Sequence, residues 1–190
     1  TPGRATLRFG GNTSCVEVSS GKQSLILDGG TGLRLLGLNH AGQHRGETAI
    51  LVSHTHMDHI AGIPFFRPAL HKGHLLKIFG PIGLKKSLIH LFPFPVLLSR
   101  RVIYEIGPCQ LHLPPFSINS CWMNHPGGSL GFRIKTPSKK RIVYISDHEP
   151  VERHTHHRHA PTDRHLIRWI RDADLLIMDA QYLDQEYEDR

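Results

Sequence analysis

Ser53-His54-Thr55-His56-Met57-Asp58-His59 places three imidazoles and a carboxylate within six residues, directly after the apolar run "TAILV" at 48–52. An extended segment alternates its side chains, so His54 and His56 leave the end of a strand on the same side. Asp58 and His59 follow where the chain must turn, across 58–62, and can face the same point from the other side. Imidazole nitrogen and carboxylate oxygen are the donors that zinc and similar borderline cations prefer, and a catalytic site keeps a position open for water. A lone histidine at a strand end is ordinarily a hydrogen-bonded structural residue. The pattern His-x-His-x-Asp-His after a buried strand is not explained that way and points to metal binding, with room for a second ion beside Asp58 and His59.

Local ligands do not complete such a site. Two later residues are candidates: His125 in "NHPGGSLGFRI" and Asp147 in "YISDHE". Each follows a predicted strand and precedes a turn, the position where scaffolds carry chemistry.

Alternation and turn residues predict a hairpin from 14–18 and 24–28, a short helix after Gly32, and a buried strand over 48–53. Further strands are expected over 75–79, 101–106, 116–123, 130–135 and 141–146, with a buried final strand over 174–179. Helices are expected over 82–91 and from Asp163 to about Arg171, the second capped by Thr162 or Asp163. No repeat or linker divides the chain, so a single domain over 1–190 is expected.

Composition narrows the class. The chain has 190 residues, 39% of them hydrophobic, and no apolar run long enough to span a membrane. Three cysteines, an odd number without close pairing, argue against a disulfide framework and for the cytoplasm. The net charge of +7 favours an anionic substrate, although the basic residues lie scattered in pairs rather than in a nucleic-acid-binding stripe. Sixteen histidines are the anomaly, and six fall within 148–165, which is expected to be a loop of solvated imidazoles, an auxiliary metal or anion site being the alternative. The apolar, proline-stiffened "LFPFPVLL" at 91–98 is expected to be a packing element or a homodimer contact, or else a wall of the substrate cleft.

His54-x-His56-x-Asp58-His59, with His125 and Asp147 downstream, resembles the metallo-β-lactamase superfamily of dinuclear hydrolases. "RFGGNTSCVEV", "LILDGGTGLRLLG", "HTHMDHIAGIPFF", "VYISDHEP" and "DLLIMDAQY" are similar to its branch of phosphoribosyl cyclic phosphodiesterases and ribonuclease Z. The resemblance implies an α/β (α+β) fold, an αββα sandwich of two mixed sheets with helices on the outer faces. It also implies two divalent metal ions, most simply zinc, with manganese or iron as alternatives. His54, His56 and His125 would hold the first ion, Asp58 and His59 the second, and Asp147 would bridge them. Asp28 would brace the metal loop through hydrogen bonds, and Asp179 would support it. Family members also carry a strand before the position of Thr1 and a later histidine-bearing segment, so the resemblance implies a chain shortened at both ends and an incomplete shell for the second ion.

The implied activity is metal-dependent hydrolysis by a metal-held hydroxide that Asp58 orients. The expected substrates are small anionic phosphodiesters, cyclic nucleotides or RNA-like molecules. Hydrolysis of lactone, thioester or β-lactam carbonyls is one alternative, and a non-catalytic metal- or nucleic-acid-binding domain is the other.

Overall fold

Gly21, at φ +59°, supplies the left-handed backbone that reverses the chain between β1 (Val16–Ser20) and β2 (Gln23–Leu27), which pair antiparallel. The computed structural model describes residues 4, 8, 10–40, 46–91, 101–150 and 159–180. Two units divide the chain, Thr1–Gly107 and Pro108–Arg190, each carrying a five-stranded mixed sheet.

In the first unit β2 is followed by β3 (Glu47–Leu51), β4 (Leu75–Gly80) and β5 (Arg101–Glu105), all parallel, in the order β1-β2-β3-β4-β5. Register aligns Ile26, Ile50, Ile78 and Ile103 in one row across four strands. Against that row pack Leu33 of α1 (Gly32–Asn39), Leu84 and Leu88 of α3 (Leu84–Leu91), and Ile60, Ile63 and Phe66. Between β3 and β4 the chain forms α2 (Met57–Ile60) and two 3-10 turns, Ile63–Phe65 and Arg67–Leu70.

The predicted hairpin is present, displaced by about two residues at its outer end. Thr13 and Ser14 do not extend β1 because they hold the next turn: Thr31 N–H donates to Thr13 Oγ1 (2.8 Å), and Gly30 N–H donates to Ser14 O (2.8 Å). β2 stops at Leu27 because Asp28 is left-handed, at φ +59°. The helix expected from residue 82 begins at Leu84, since Gly83 at φ +98° is not helical, and Glu105 accepts from the N–H groups of Gly83 (2.8 Å) and Lys85 (3.1 Å). The 57–60 helix, expected as a plain turn, and both 3-10 turns went unpredicted.

The second unit runs β6 (Gln110–Leu113), β7 (Phe116–Met123), β8 (Ser129–Lys135) and β9 (Arg141–Ile145) as an antiparallel meander, with β10 (Leu175–Met178) parallel to β9. α4 (Asp163–Ile170) lays Leu166, Trp169 and Ile170 against Met123, Val143 and Ile145, and Thr162 caps it by accepting from His165 N–H. β6 was not expected, although Gln110-Leu111-His112-Leu113 alternates as a strand does. The expectation of a buried final strand is corrected: Leu175, Leu176 and Met178 are exposed, and among the described residues β10 pairs only with β9, at the edge of its sheet. Residues 92–98 of the proline-stiffened segment lie outside the described residues. No helix among the described residues is long and apolar enough to cross a membrane.

Ile50 is fully buried between Ile26 and Ile78, whereas Ile82 is 83% exposed. Ile50→Ala should therefore lower the unfolding free energy by about 2–5 kcal/mol in a urea titration. Ile82→Ala should change it by less than about 0.5 kcal/mol.

Candidate metal centre

Asp28 ends β2 in the left-handed conformation with its side chain fully buried. Its own N–H donates to Leu51 O (2.8 Å), which ties it to the end of β3. Its carboxylate accepts from Ser53 N–H (2.6 Å), Ser53 Oγ (2.9 Å) and His59 Nδ1 (2.8 Å). A buried carboxylate needs such donors to offset its lost hydration. These bonds also assign protons, since a carboxylate only accepts. His59 therefore carries hydrogen on Nδ1, and in the neutral imidazole Nε2 is the lone pair. The Ser53 hydroxyl spends its hydrogen on Asp28, so its 3.0 Å contact with His54 Nδ1 is one in which the imidazole donates. In the neutral imidazole His54 Nε2 is then also a lone pair.

That lone pair faces His56 Nδ1 at 2.9 Å. Two zinc–imidazole bonds of about 2.0–2.1 Å span at most about 4.2 Å, so both nitrogens fit one cation. His56 is extended, at φ −63° and ψ 150°, and opens α2. Asp58 and His59 therefore lie in a helical turn, not the plain turn expected from sequence. His59 Nε2 stands 3.3 Å from Asp58 Oδ2, a second nitrogen–oxygen pair, buried on the histidine side and 55% exposed on the carboxylate side. Imidazole nitrogens and a carboxylate oxygen are a donor set that a divalent cation accepts.

Backbone packing fixes this loop. Gly29 N–H donates to His59 O (2.7 Å), and Gly62 N–H donates to Gly29 O (2.8 Å). A Cβ on Gly62 would strike Gly30 O, and one on Gly30 would strike Asp58 O. Cys15 lies beside the same turn, its Cβ 3.0 Å from where a Cβ on Gly32 would stand. Burial, then the charges of Asp28 and Glu17, push its thiol up to about 12, so it stays protonated and offers no thiolate.

In the second unit His125 follows β7 and Asp147 follows β9, and His125 Nε2 lies 3.8 Å from Asp147 Oδ2. Asp147, like Asp28, is left-handed, at φ +51°. Asp179 accepts from the backbone N–H groups of His148 and Asp147, and burial followed by the Asp147 charge raises its carboxyl above the usual range. Asn124 is fully buried and donates its N–H to His148 Nδ1 (3.1 Å) and its side-chain amide to Glu149 O (3.0 Å). His148 is thus a buried, hydrogen-bonded residue, which corrects the expectation that the 148–165 imidazoles are all solvated. Burial also holds its pKa below the ordinary histidine value, outweighing Asp163 and Glu149. Residues 151–158 of that segment lie outside the described residues.

The first unit thus gathers Asp28, His54, His56, Asp58 and His59, and the second gathers His125 and Asp147. Sequence reasoning missed Ser53, the hydroxyl that relays Asp28 to His54, and Asn124, which orders the loop after β9. A hydroxyl immediately before the His-x-His pair was the available signal for Ser53. Asp28→Asn should weaken zinc binding about 10–100-fold in competition with a chromophoric chelator, because the amide cannot accept from both Ser53 and His59. Unchanged affinity would mean that the imidazole tautomers are set by other groups.

Residues 25–189 match the family profile described as "Beta-lactamase superfamily domain". No curated protein matches the chain in sequence. Among solved structures it is similar to the metallo-β-lactamase fold protein YhfI from Bacillus subtilis, at 25% identity and TM-score 0.64, over 90% of this chain and 65% of that one. It is similar in fold to human tRNase Z, short form (TM-score 0.68, 18% identity, 93% of this chain and 74% of that one). A diphosphatase of the PhnP family also matches in fold (TM-score 0.64, 18% identity, 88% and 60%). The chain therefore spans about two thirds of YhfI. Two mixed sheets with helices, the paired histidines that follow β3 and a family match over 165 residues, from 25 to 189, place this chain in the metallo-β-lactamase superfamily.

Proposed function

We propose that this chain is a metal-dependent phosphodiesterase, with His54, His56, His125 and Asp147 holding a first divalent cation, each through one ligand atom. Asp58 and His59 would hold a second ion, with Asp147 available to both. Zinc is the first choice, manganese or iron the alternatives. The observation that carries this reading is the pair of imidazole nitrogens, His54 Nε2 and His56 Nδ1, 2.9 Å apart, with the other nitrogen of His54 bonded to Ser53 Oγ. When bound, such ions acidify water towards neutrality and polarise a phosphoryl oxygen.

The residues supply the rest. Asp28 and Ser53 keep the imidazoles in the metal-binding tautomer, so ligation does not require their protons to move. Asp58, beside His59 and open to solvent, orients the attacking water and accepts its proton. The net charge of +7 draws in an anionic ester. The names of two similar structures, a tRNase Z and a diphosphatase, support phosphorus over carbonyl chemistry. Three free cysteines suit the cytoplasm.

Zinc- or manganese-loaded protein should hydrolyse bis-para-nitrophenyl phosphate, and Asp58→Ala should lower kcat by roughly 10²–10⁴. His56→Ala should reduce bound metal in elemental analysis. Turnover of lactone or thioester substrates without phosphodiester cleavage would replace the phosphodiesterase reading with acyl hydrolysis. RNA shifted at low salt with no turnover of either class would leave a binding domain.

A further inference from the structure

At the far ends of the second unit's strands lies a cavity of about 280 Å³, lined by Gln110, Ser117, Asn119, Arg133, Lys135 and Arg141. Arg141 opens β9 and Asp147 lies six positions on, just past its other end, roughly 20 Å of extended chain, so the cavity is not part of the metal centre. Register explains its shape. Gln110 opposes Asn119, which opposes Arg133; Ser117 opposes Lys135, which opposes Arg141. Two polar rows therefore cross the sheet side by side on one face.

Its charge calls for a ligand. Lys135 stands directly opposite Arg141, and like charges in that position repel. The Arg133 guanidinium donates only to carbonyls in the contacts seen, Trp169 O (2.8 Å) and Arg171 O (3.2 Å), so its charge is not cancelled. Lys135 has no hydrogen-bond or ion-pair partner among the described residues. Asp172 lies 3.7 Å from Arg141, and Asp174 is engaged by Lys140 (2.7 Å) and the Arg141 N–H (2.8 Å). Arg141 is thus shared between Asp172 and the nearby Asp174, while no carboxylate among the described residues pairs with Arg133 or Lys135. Trp169 Nε1 donates to Asn119 Oδ1 (2.8 Å), occupying the acceptor of that amide and leaving its NH₂ group to donate.

We propose that this cavity binds a phosphate group through Arg133, Lys135 and Arg141, with Ser117 and Asn119 as neutral donors. Cationic donors and a planar guanidinium suit a phosphate's several oxygens. The volume lies at the low end for ligand sites and admits one phosphate with a small attached group. That phosphate is carried either by a small molecule or by a nucleic-acid strand.

Calorimetry with inorganic diphosphate, and fluorescence anisotropy with a labelled single-stranded oligoribonucleotide, test the proposal on the full chain. Lys135→Gln and Arg141→Gln alter exposed side chains and should leave the melting temperature unchanged, while each weakens diphosphate binding about tenfold, ~1.4 kcal/mol. His56→Ala should leave this binding intact, which separates it from any phosphate held at the metal centre. An oligonucleotide weakened by the same substitutions assigns the phosphate to a strand; diphosphate binding alone assigns it to a small molecule. Binding that is absent, unaffected by both basic substitutions, or lost only in His56→Ala would overturn the proposal.

Discussion

The first unit's site depends on one buried carboxylate. Asp28 is sealed from water and must be given donors, and those it receives lead to the clustered imidazoles: His59 directly and His54 through Ser53. Burying a carboxylate is costly unless it is fully hydrogen-bonded, so the fold cannot form cheaply without also setting two imidazole tautomers. Folding and preparation of the ligands are one event. The left-handed backbone at Asp28 is what lets the carboxylate leave the β2 ladder and meet the segment that follows β3.

The second unit repeats the device with different parts. Asp147 also leaves a strand through a left-handed conformation, and Asp179, after β10, steadies it by accepting backbone N–H groups. Asn124 and His148 close the same loop from β7. In both units the sheet supplies rigid strand ends and a buried polar side chain supplies direction. The clustered imidazoles and carboxylates are thus placed by buried polar neighbours.

Much of this was legible in the sequence because the relevant signals are local. Apolar alternation located nine of the ten strands, and the crowding of His54, His56, Asp58 and His59 located the first unit's cluster. What was not legible depends on partners distant in sequence. α2 is a single turn, too short to show a helical period, and is held by a backbone bond between Gly29 and His59. Ser53 gains its role only when Asp28, 25 residues earlier, comes alongside. His148 is polar and sits in a histidine-rich run, yet it is buried because Asn124 arrives from another strand. β10 looked like a core strand because its apolar run resembles one, but among the described residues it is the edge of its sheet, with Leu175, Leu176 and Met178 exposed.

Cys15 gives the centre a further property. Its thiol sits against the turn that bears Asp28, and a thiolate there would be both a competing soft ligand and a target for peroxide. With its ionisation pushed up to about 12, the sulfur is chemically quiet at any physiological pH. The oxidisable sulfur set among the clustered side chains is instead the exposed thioether of Met57, between His56 and Asp58.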